Sequence, residues 1–105
     1  MFAVIARFPA APAHREEFLQ NLEDSVAVTR EAPGFLAYQV MEPETASDTR
    51  VCLMLWESQE AFRAFLGSEE SKAAHAKVRP EHFSATPTVE ELRVLETWHA
   101  PAAVA

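Results

Sequence analysis

The chain has one cysteine, two glycines and no long apolar run, and each shortage excludes a class of protein. Cys52 cannot form a disulfide within the chain, and its place in an apolar stretch favours a small buried side chain. With only Gly34 and Gly67, the sequence has no glycine-rich loop for a nucleotide phosphate. No segment approaches the roughly 20 apolar residues of a membrane span, and the first residues lack the basic start of a secretory signal. We expect a soluble, cytoplasmic protein.

Basic residues are scarce as well. Nine Lys and Arg stand against 16 Asp and Glu, which gives a formal net charge of -7 at pH 7. Nucleic acids and anionic membrane surfaces bind clustered Lys and Arg, so we expect neither as a partner. The 105 residues suffice for one domain with one core. We place that domain at residues 1–98, followed by a flexible tail at 99–105.

The most informative stretch is an apolar strand, residues 49–57, that leads directly into a helix. Ser58 is a favoured N-cap residue, and Glu60 lies in the first turn, where the helix dipole favours negative charge. Gly67 then ends this helix, and a second helical segment is predicted over residues 69–79. The first segment has an apolar face at helical spacing, formed by Phe62, Phe65 and Leu66. The second has a predicted buried side formed by Ala73, Ala74 and Val78.

The remaining elements follow from periodicity and turn residues. Alternating residues predict strands over 2–8, 35–42 and 88–98, and helical spacing predicts a helix over 13–31. Pro33-Gly34 ends that helix and turns the chain. The order β-α-β-β-α-β predicts the ferredoxin-like α+β fold, a four-stranded antiparallel sheet with both helices on one face.

The predicted strands are apolar on both faces. An antiparallel sheet covered by helices on one side normally carries polar residues on the other. Roughly ten apolar side chains, each worth about 1.5 kcal/mol when buried, would remain exposed in a monomer. We therefore predict a homodimer that packs sheet against sheet. The predicted faces are Val51, Leu53 and Leu55 against Cys52, Met54 and Trp56 in the third strand, and Phe35 and Met41 against Leu36, Tyr38 and Val40 in the second.

The junction between the third strand and its helix resembles a known family. Trp56-Glu57-Ser58 and Glu60-Ala61-Phe62, with Pro33-Gly34-Phe35 ahead of them, resemble the antibiotic-biosynthesis-monooxygenase (ABM) domain family of dimeric α+β barrels. The resemblance covers nearly the whole chain. The continuation through Lys72-Ala73-Ala74-His75 is similar to the IsdG-type haem-degrading monooxygenases. Membership would imply a homodimeric oxidoreductase that acts on a small apolar or aromatic ligand.

The similarity to the haem-degrading members implies haem as the cofactor. His75 stands at the position of their axial iron ligand, which makes it the implied metal-binding residue. Phe62 and Phe65 would then form the wall beside the porphyrin ring. Phe65 occupies the position of a tryptophan in those members. Ala6, or Arg7 if the register differs by one residue, occupies the position of their asparagine.

Two hypotheses without haem remain open. The first is a cofactor-independent oxygenase, because a phenol or quinol supplies its own electrons once it is deprotonated. In that case Arg7 or His75 could stabilise the resulting anion. The second is a non-catalytic dimeric module that binds an apolar ligand. For catalysis, the candidate residues are Arg7, Tyr38 and Trp56, provided that they line a cavity between the sheet and the helices.

Overall fold

The computed structural model describes residues 1–102 and has the ferredoxin-like α+β fold that the sequence predicts. Its antiparallel sheet has the order β2-β3-β1-β4. The strands are β1 (Phe2–Pro9), β2 (Phe35–Met41), β3 (Thr49–Trp56) and β4 (Thr88–Arg93). The helices are α1 (Arg15–Thr29), α2 (Gln59–Leu66) and α3 (Glu69–His75), with 3-10 turns at Pro12–His14 and Pro80–His82. Among the described helices, none is long and apolar enough to cross a membrane.

Serine caps explain where α2 and α3 begin. The Ser58 hydroxyl accepts the backbone N–H of Ala61 at 3.1 Å, and the Ser68 hydroxyl accepts that of Ser71 at 3.1 Å. Each cap satisfies a donor that the first turn of a helix leaves free. Gly67 lies between the two helices as the C-cap of α2. The predicted interruption of the helix at Gly67-Ser68 is confirmed.

Helix α3 is shorter than predicted and buries a different side. It ends at His75, and Arg79 is extended, as a residue before proline tends to be. Ser71 is its buried residue, at 1% exposure, whereas Ala73 is exposed and Val78 is 42% exposed. The prediction of Ala73 and Val78 as the buried side was therefore wrong. A short helix with alanines on several faces has no clear apolar side, so the sequence does not indicate which face is buried.

The core lies between the sheet and α2. Phe2 and Val4 of β1, Trp56 of β3 and Phe62 of α2 form one buried cluster, and a side chain of this kind contributes about 1.5–3 kcal/mol when fully buried. We call the sheet face toward this cluster the helix-facing layer. Strand pairing and alternation assign to it Phe2, Val4, Ala6, Tyr38, Val40, Cys52, Met54 and Trp56.

A β-bulge changes the face of one residue. The register between β2 and β3 shifts between Phe35 and Ala37, so the chain gains one residue at Leu36. Phe35 therefore pairs with Trp56 and packs edge-on against its ring, with 5.7 Å between centroids. The prediction that Phe35 lies on the opposite face from Tyr38 was wrong, because strict alternation fails at a bulge.

The other sheet face, which we call the open face, has no helix on it within residues 1–102. Its central strands are apolar, as predicted. Arg7 of β1 lies at one end of it. Glu90 of β4 and Gln39 of β2 lie on opposite sides of its middle row, beside Ile5 and Leu53. Its apolar members are Ala3, Ile5, Ala37, Met41, Val51, Leu53, Leu55 and Leu92.

Strand β4 ends earlier than the sequence pattern predicted. Residues 94–98 have no regular structure, although the predicted strand ran to residue 98. The Val94 N–H still donates to the Met1 carbonyl at 3.0 Å, but Leu95 and Trp98 are each 86% exposed. A strand requires a neighbour for its hydrogen bonds, and β1 begins at Phe2. Residues 99–102 of the predicted tail also lack regular structure, and residues 103–105 lie outside the described part.

Candidate functional site

A mostly apolar cavity of about 570 Å³ lies where the end of α1, the Pro33-Gly34 turn and the α2–α3 junction meet. Cavities of roughly 300–1,000 Å³ are typical of small-molecule sites. We call this one the α1–α2 cavity. Its apolar wall is formed by Val28, Ala32, Pro33, Ala61, Ala64 and Phe65, with Gly34 in the turn. Its polar members are Glu31, Glu57, Ser68 and Glu70.

Gly34 shapes one wall of this cavity. Its φ of +82° lies in the left-handed region that glycine tolerates best. A Cβ at this position would lie 2.5 Å from the Cβ of Ala61, so the turn and α2 approach as closely as they can. The Gly34 carbonyl also accepts the N–H of Glu57 at 2.8 Å. These contacts attach the turn to the start of the β3–α2 junction.

Trp56 lies directly behind the cavity wall. Its side chain is 0% exposed, and its ring lies 5.3 Å from that of Phe65, which lines the cavity. Its Nε1 is the one buried side-chain polar atom without a hydrogen-bond partner in the described part of the chain. Such donors are rare, and an unsatisfied buried group costs about 1–3 kcal/mol. The core behind the cavity therefore holds a buried hydrogen-bond donor without an acceptor.

Tyr38 and Cys52 neighbour each other on the helix-facing layer, where Met54 separates Cys52 from Trp56 along β3. Burial raises the pKa of the Tyr38 phenol, and the neighbouring Cys52 raises it further. Burial likewise raises the pKa of the Cys52 thiol, although Tyr38 and Arg50 act in the opposite direction. Both groups therefore stay protonated near neutral pH. The phenol can form hydrogen bonds but cannot supply an anion, and the thiol is a poor nucleophile.

A second groove, of about 420 Å³, runs between α1 and the β2–β3 side of the sheet. Val40 and Arg50 line this groove. Val40 lies two residues after Tyr38 on β2, and Arg50 lies two residues before Cys52 on β3. The Arg50 guanidinium is already engaged, at 3.3 Å from Glu42 Oε1 and 2.9 Å from the Ser47 carbonyl. These contacts hold Arg50 toward the β2–β3 connection.

Arg7 is separated from the other predicted catalytic residues. It pairs with Val51 and Thr88 on the open face and is exposed. Successive residues of a strand point to opposite faces, so Ala6 faces the helices and Arg7 faces away from them. Of the three predicted catalytic residues, Tyr38 and Trp56 lie on the helix-facing layer and Arg7 on the open face, and none of the three lines the α1–α2 cavity.

The residues implied for haem binding do not converge on one cavity. His75 is exposed at the end of α3, where its Nδ1 lies 3.4 Å from the Ser71 hydroxyl, and it does not line the α1–α2 cavity. Phe62 is 4% exposed within the core. Phe65 lines the cavity but also packs on Trp56. A histidine that ligates haem iron must face the pocket that holds the ring, so these residues do not fit a haem bound in the α1–α2 cavity.

Sequence reasoning missed the carboxylates at the cavity. Glu57 follows the third strand and Glu70 follows the cap of α3, and both line the α1–α2 cavity with Glu31. The sequence assigns Glu70, beside Glu69, to a solvated helix face. No sequence signal distinguishes Glu70, which lines the cavity, from Glu69, which does not, because their positions depend on how α3 packs against α1.

Sequence reasoning also missed a buried histidine. His82 is 3% exposed, and its Nδ1 accepts the N–H of Arg79 at 3.3 Å. Its Nε2 therefore carries the proton and donates to Glu17 at 3.2 Å, which ties the Pro80–His82 turn to α1. Within residues 1–102, no group of three or more His, Cys, Asp or Glu side chains is placed to hold a metal ion.

Comparison with known proteins places this geometry in a family. The model of the antibiotic biosynthesis monooxygenase family matches residues 1–77. A protein from Caulobacter crescentus, provisionally named as such a monooxygenase, is 30% identical, with a TM-score of 0.80 and 90% of each chain covered. A Mycobacterium tuberculosis protein is 26% identical, with a TM-score of 0.82, over 91% of this chain and 96% of that one. A mutant of SnoaB, a cofactor-independent oxygenase from Streptomyces nogalater, shares the fold at 20% identity, with a TM-score of 0.72 over 91% and 94%.

Proposed function

The chain belongs to the antibiotic biosynthesis monooxygenase family, and we propose that it is a cofactor-independent monooxygenase that oxidises a flat phenol to a quinone. The observation that carries this proposal is the unpartnered N–H of Trp56 behind the wall of an apolar cavity. An oxygenation that places negative charge on dioxygen-derived atoms is stabilised by a donor fixed in a water-poor site. SnoaB, which shares this fold, is a cofactor-independent oxygenase, and this supports a reaction without a cofactor.

The reaction balances without an external reductant. A phenol with a free ring position takes up one O₂. One oxygen atom becomes the new quinone carbonyl, and the other leaves as water with the two hydrogens lost from the ring carbon and the hydroxyl. The four electrons that reduce O₂ all come from the substrate. The protein therefore has to bind, orient and shield the substrate, and to stabilise charge as it develops.

The cavity suits an uncharged aromatic ring. Ala32, Ala61 and Phe65 offer apolar surface, and aromatic rings pack favourably on such walls. The carboxylates of Glu31, Glu57 and Glu70 disfavour an anionic ligand. A carboxylate that accepts a phenol O–H forms a strong, charge-assisted hydrogen bond. We assign this orienting role to Glu57, which directly follows Trp56 in the chain and has no ion-pair partner among residues 1–102.

Trp56 and Tyr38 have different roles in this proposal. Trp56 donates its free N–H toward the oxygen atoms that gain charge. Tyr38, which stays protonated because burial raises its pKa, contributes a neutral hydroxyl to the same layer. A role for Arg7 in catalysis has no geometric support, because it lies on the open face.

Haem degradation is the competing proposal for this family member. It rests on the similarity of the stretch from Trp56 to His75. The exposed position of His75 and the burial of Phe62 in the core argue against it. We therefore assign no step to haem, and a haemin titration tests this choice.

We also propose that the protein works as a homodimer in which the open faces of two sheets pack together. The support is the apolar character of that face, where Ile5, Leu53 and Leu55 occupy the central strands. Packing two such faces buries surface that a monomer would expose to water. The helix-facing layer and the α1–α2 cavity stay within each protomer.

Oxygen uptake with 1-naphthol tests the catalytic proposal. We expect one O₂ consumed for each naphthoquinone formed, no hydrogen peroxide, and no requirement for added metal, flavin or reductant. Tight binding of 1-naphthol without oxygen uptake would instead identify a ligand-binding module. The observation that favours a ligand-binding module is that Tyr38 and Cys52 both stay protonated near neutral pH, because burial raises the pKa of each.

A further inference from the structure

The lining of the α1–α2 cavity carries charge of one sign only. Its charged members are Glu31, Glu57 and Glu70, and no Lys, Arg or His of the described chain lies among its lining residues. They belong to three places in the fold, the end of α1, the β3–α2 junction and the first turn of α3. None of these carboxylates takes part in an ion pair among residues 1–102. The cavity is therefore negatively charged, without a cation of the described chain to balance it.

Two helix ends add to this negative potential. Val28 and Ala32 line the cavity at the C-terminal end of α1, and Ala64 and Phe65 line it at the C-terminal end of α2. The C-terminal end of a helix carries a partial negative charge that attracts cations, because the last carbonyl groups have no partner within the helix. Both helices therefore favour a positive charge at the same cavity.

The basic residues at these helix ends contact other parts of the protein. Arg30, the C-cap residue of α1, lines the groove between α1 and the sheet. Arg63, in the last turn of α2, donates to both carboxylate oxygens of Glu91 on β4, at 2.6 and 2.8 Å. Basic side chains near the end of a helix commonly offset its dipole. Neither of these two lines the cavity, so a bound ligand is left to supply the positive charge there.

We propose that the cavity binds an aromatic molecule whose side chain ends in a protonated amine, and that Glu31 and Glu70 bind the ammonium group. This rests on the proposed function and names its substrate class, a phenol with a cationic aminoalkyl chain. Glu57 keeps its role toward the phenol hydroxyl. An ammonium group donates charge-assisted hydrogen bonds to carboxylates. The Phe65 ring in the cavity wall also attracts it, because a cation is drawn to the face of an aromatic ring.

An organic cation fits the cavity better than a metal ion does. Within residues 1–102, no group of three or more His, Cys, Asp or Glu side chains is placed to hold a metal ion. The volume of about 570 Å³ is that of a site for a small organic molecule. A hydrated metal ion gains nothing from the apolar wall, whereas an aromatic amine removes its ring from water against Ala32, Ala61 and Phe65.

Binding of three naphthalene derivatives tests this charge preference. At neutral pH, 2-(1-naphthyl)ethylamine is a cation, 2-(1-naphthyl)ethanol is uncharged and 1-naphthylacetate is an anion, whereas the ring is the same in all three. We expect the amine to bind about five- to tenfold more tightly than the alcohol, a modest factor because ion pairs with exposed carboxylates are weak. All three carboxylates of the cavity are exposed. The acetate should bind most weakly, and calorimetry measures each Kd.

A matched pair of double variants locates the ammonium group. Glu31→Gln with Glu70→Gln removes two charges at the cavity, whereas Glu44→Gln with Glu69→Gln removes two charges from residues that do not line it. The first variant should lose most of the preference for the amine, and the second should keep it. High salt should weaken binding of the amine but not of the alcohol, because salt screens exposed charges. Equal affinities for amine and alcohol, equal preferences in both variants, or no binding of any derivative would overturn the proposal.

Oxygen uptake separates this inference from the proposed function. None of the three derivatives is a phenol, so their binding does not depend on whether the chain oxidises phenols. Oxidation of 1-naphthol without a preference for the amine would refute the ammonium site alone. A preference for the amine, with no oxidation of 1-naphthol or of tyramine, a phenol with an aminoethyl chain, would support the ammonium site and refute the oxygenase.

Discussion

The rings of Trp56 and Phe65 lie 5.3 Å apart between their centroids, with 32° between their planes. Phe65 lines the α1–α2 cavity, whereas Trp56 is fully buried with its N–H unpaired. The Phe65 ring that lines the cavity thus packs directly on Trp56, the residue whose buried N–H has no hydrogen-bond partner.

Trp56→Phe should lower kcat for 1-naphthol by about 10²–10³-fold, because the loss of one fixed donor to a developing oxyanion has an effect of that order. Oxygen uptake at saturating substrate measures it. The smaller ring also costs stability, so urea unfolding is followed in parallel. Trp98→Phe is the matched control, since Trp98 is 86% exposed in the segment after β4, and it should retain activity. Equal kcat for both variants would contradict the role of Trp56.

Gly34→Ala should destabilise the protein by about 1–3 kcal/mol, because residues other than glycine are strained at this backbone conformation. The new Cβ would also meet Ala61 at 2.5 Å. Urea denaturation measures the free energy of unfolding. Gly67→Ala is the control, because Gly67 has negative φ and its Cβ would make only ordinary van der Waals contacts, 3.7 Å from the carbonyl oxygens of Arg63 and Ala64. That change should be neutral or stabilising by up to about 1 kcal/mol, and similar losses in both variants would contradict the geometry.

The single tyrosine permits a direct test of burial. Burial raises the pKa of Tyr38 in the folded state, so the folded chain holds this proton more tightly than the unfolded chain. The contribution to stability is present below the unfolded pKa of about 10 and is lost as the pH rises above it. Ultraviolet absorbance should detect no phenolate around pH 10 in the folded protein, but substantial phenolate in urea. If the folded protein instead formed substantial phenolate around pH 10, Tyr38 would be accessible to water.

A haemin titration should give no saturable Soret shift that depends on His75, because its side chain is exposed and lies outside the α1–α2 cavity. Visible absorbance is compared for the unaltered chain, His75→Ala and the control His99→Ala. A saturable shift that is lost only in His75→Ala would support the haem-degrading alternative and overturn the cofactor-free proposal.

Leu53→Asp should weaken the proposed homodimer by at least tenfold in Kd, because it places a charge at the centre of the open face, where burial without a partner is costly. Light scattering across a dilution series measures the change. Glu44→Lys, in the connection between β2 and β3, is a control that alters charge away from that face. Unchanged association in Leu53→Asp would show that the open face is not the interface.

The sequence by itself determined the order of elements and the interruption of the second helix. These features depend on local chemistry. The hydroxyls of Ser58 and Ser68 cap the backbone within three residues, and Pro33-Gly34 can end a helix in almost any context. The alternation of the third strand likewise predicted both apolar faces of the sheet centre.

The tertiary structure alone decided which candidate residues share a site. The bulge at Leu36 turned Phe35 toward Trp56, and the register of β1 sent Arg7 to the open face. Packing of α3 against α1 left His75 exposed and brought Glu70 to the cavity. Each outcome depends on contacts between segments that are distant in the chain, and the sequence pattern of a single segment does not contain them.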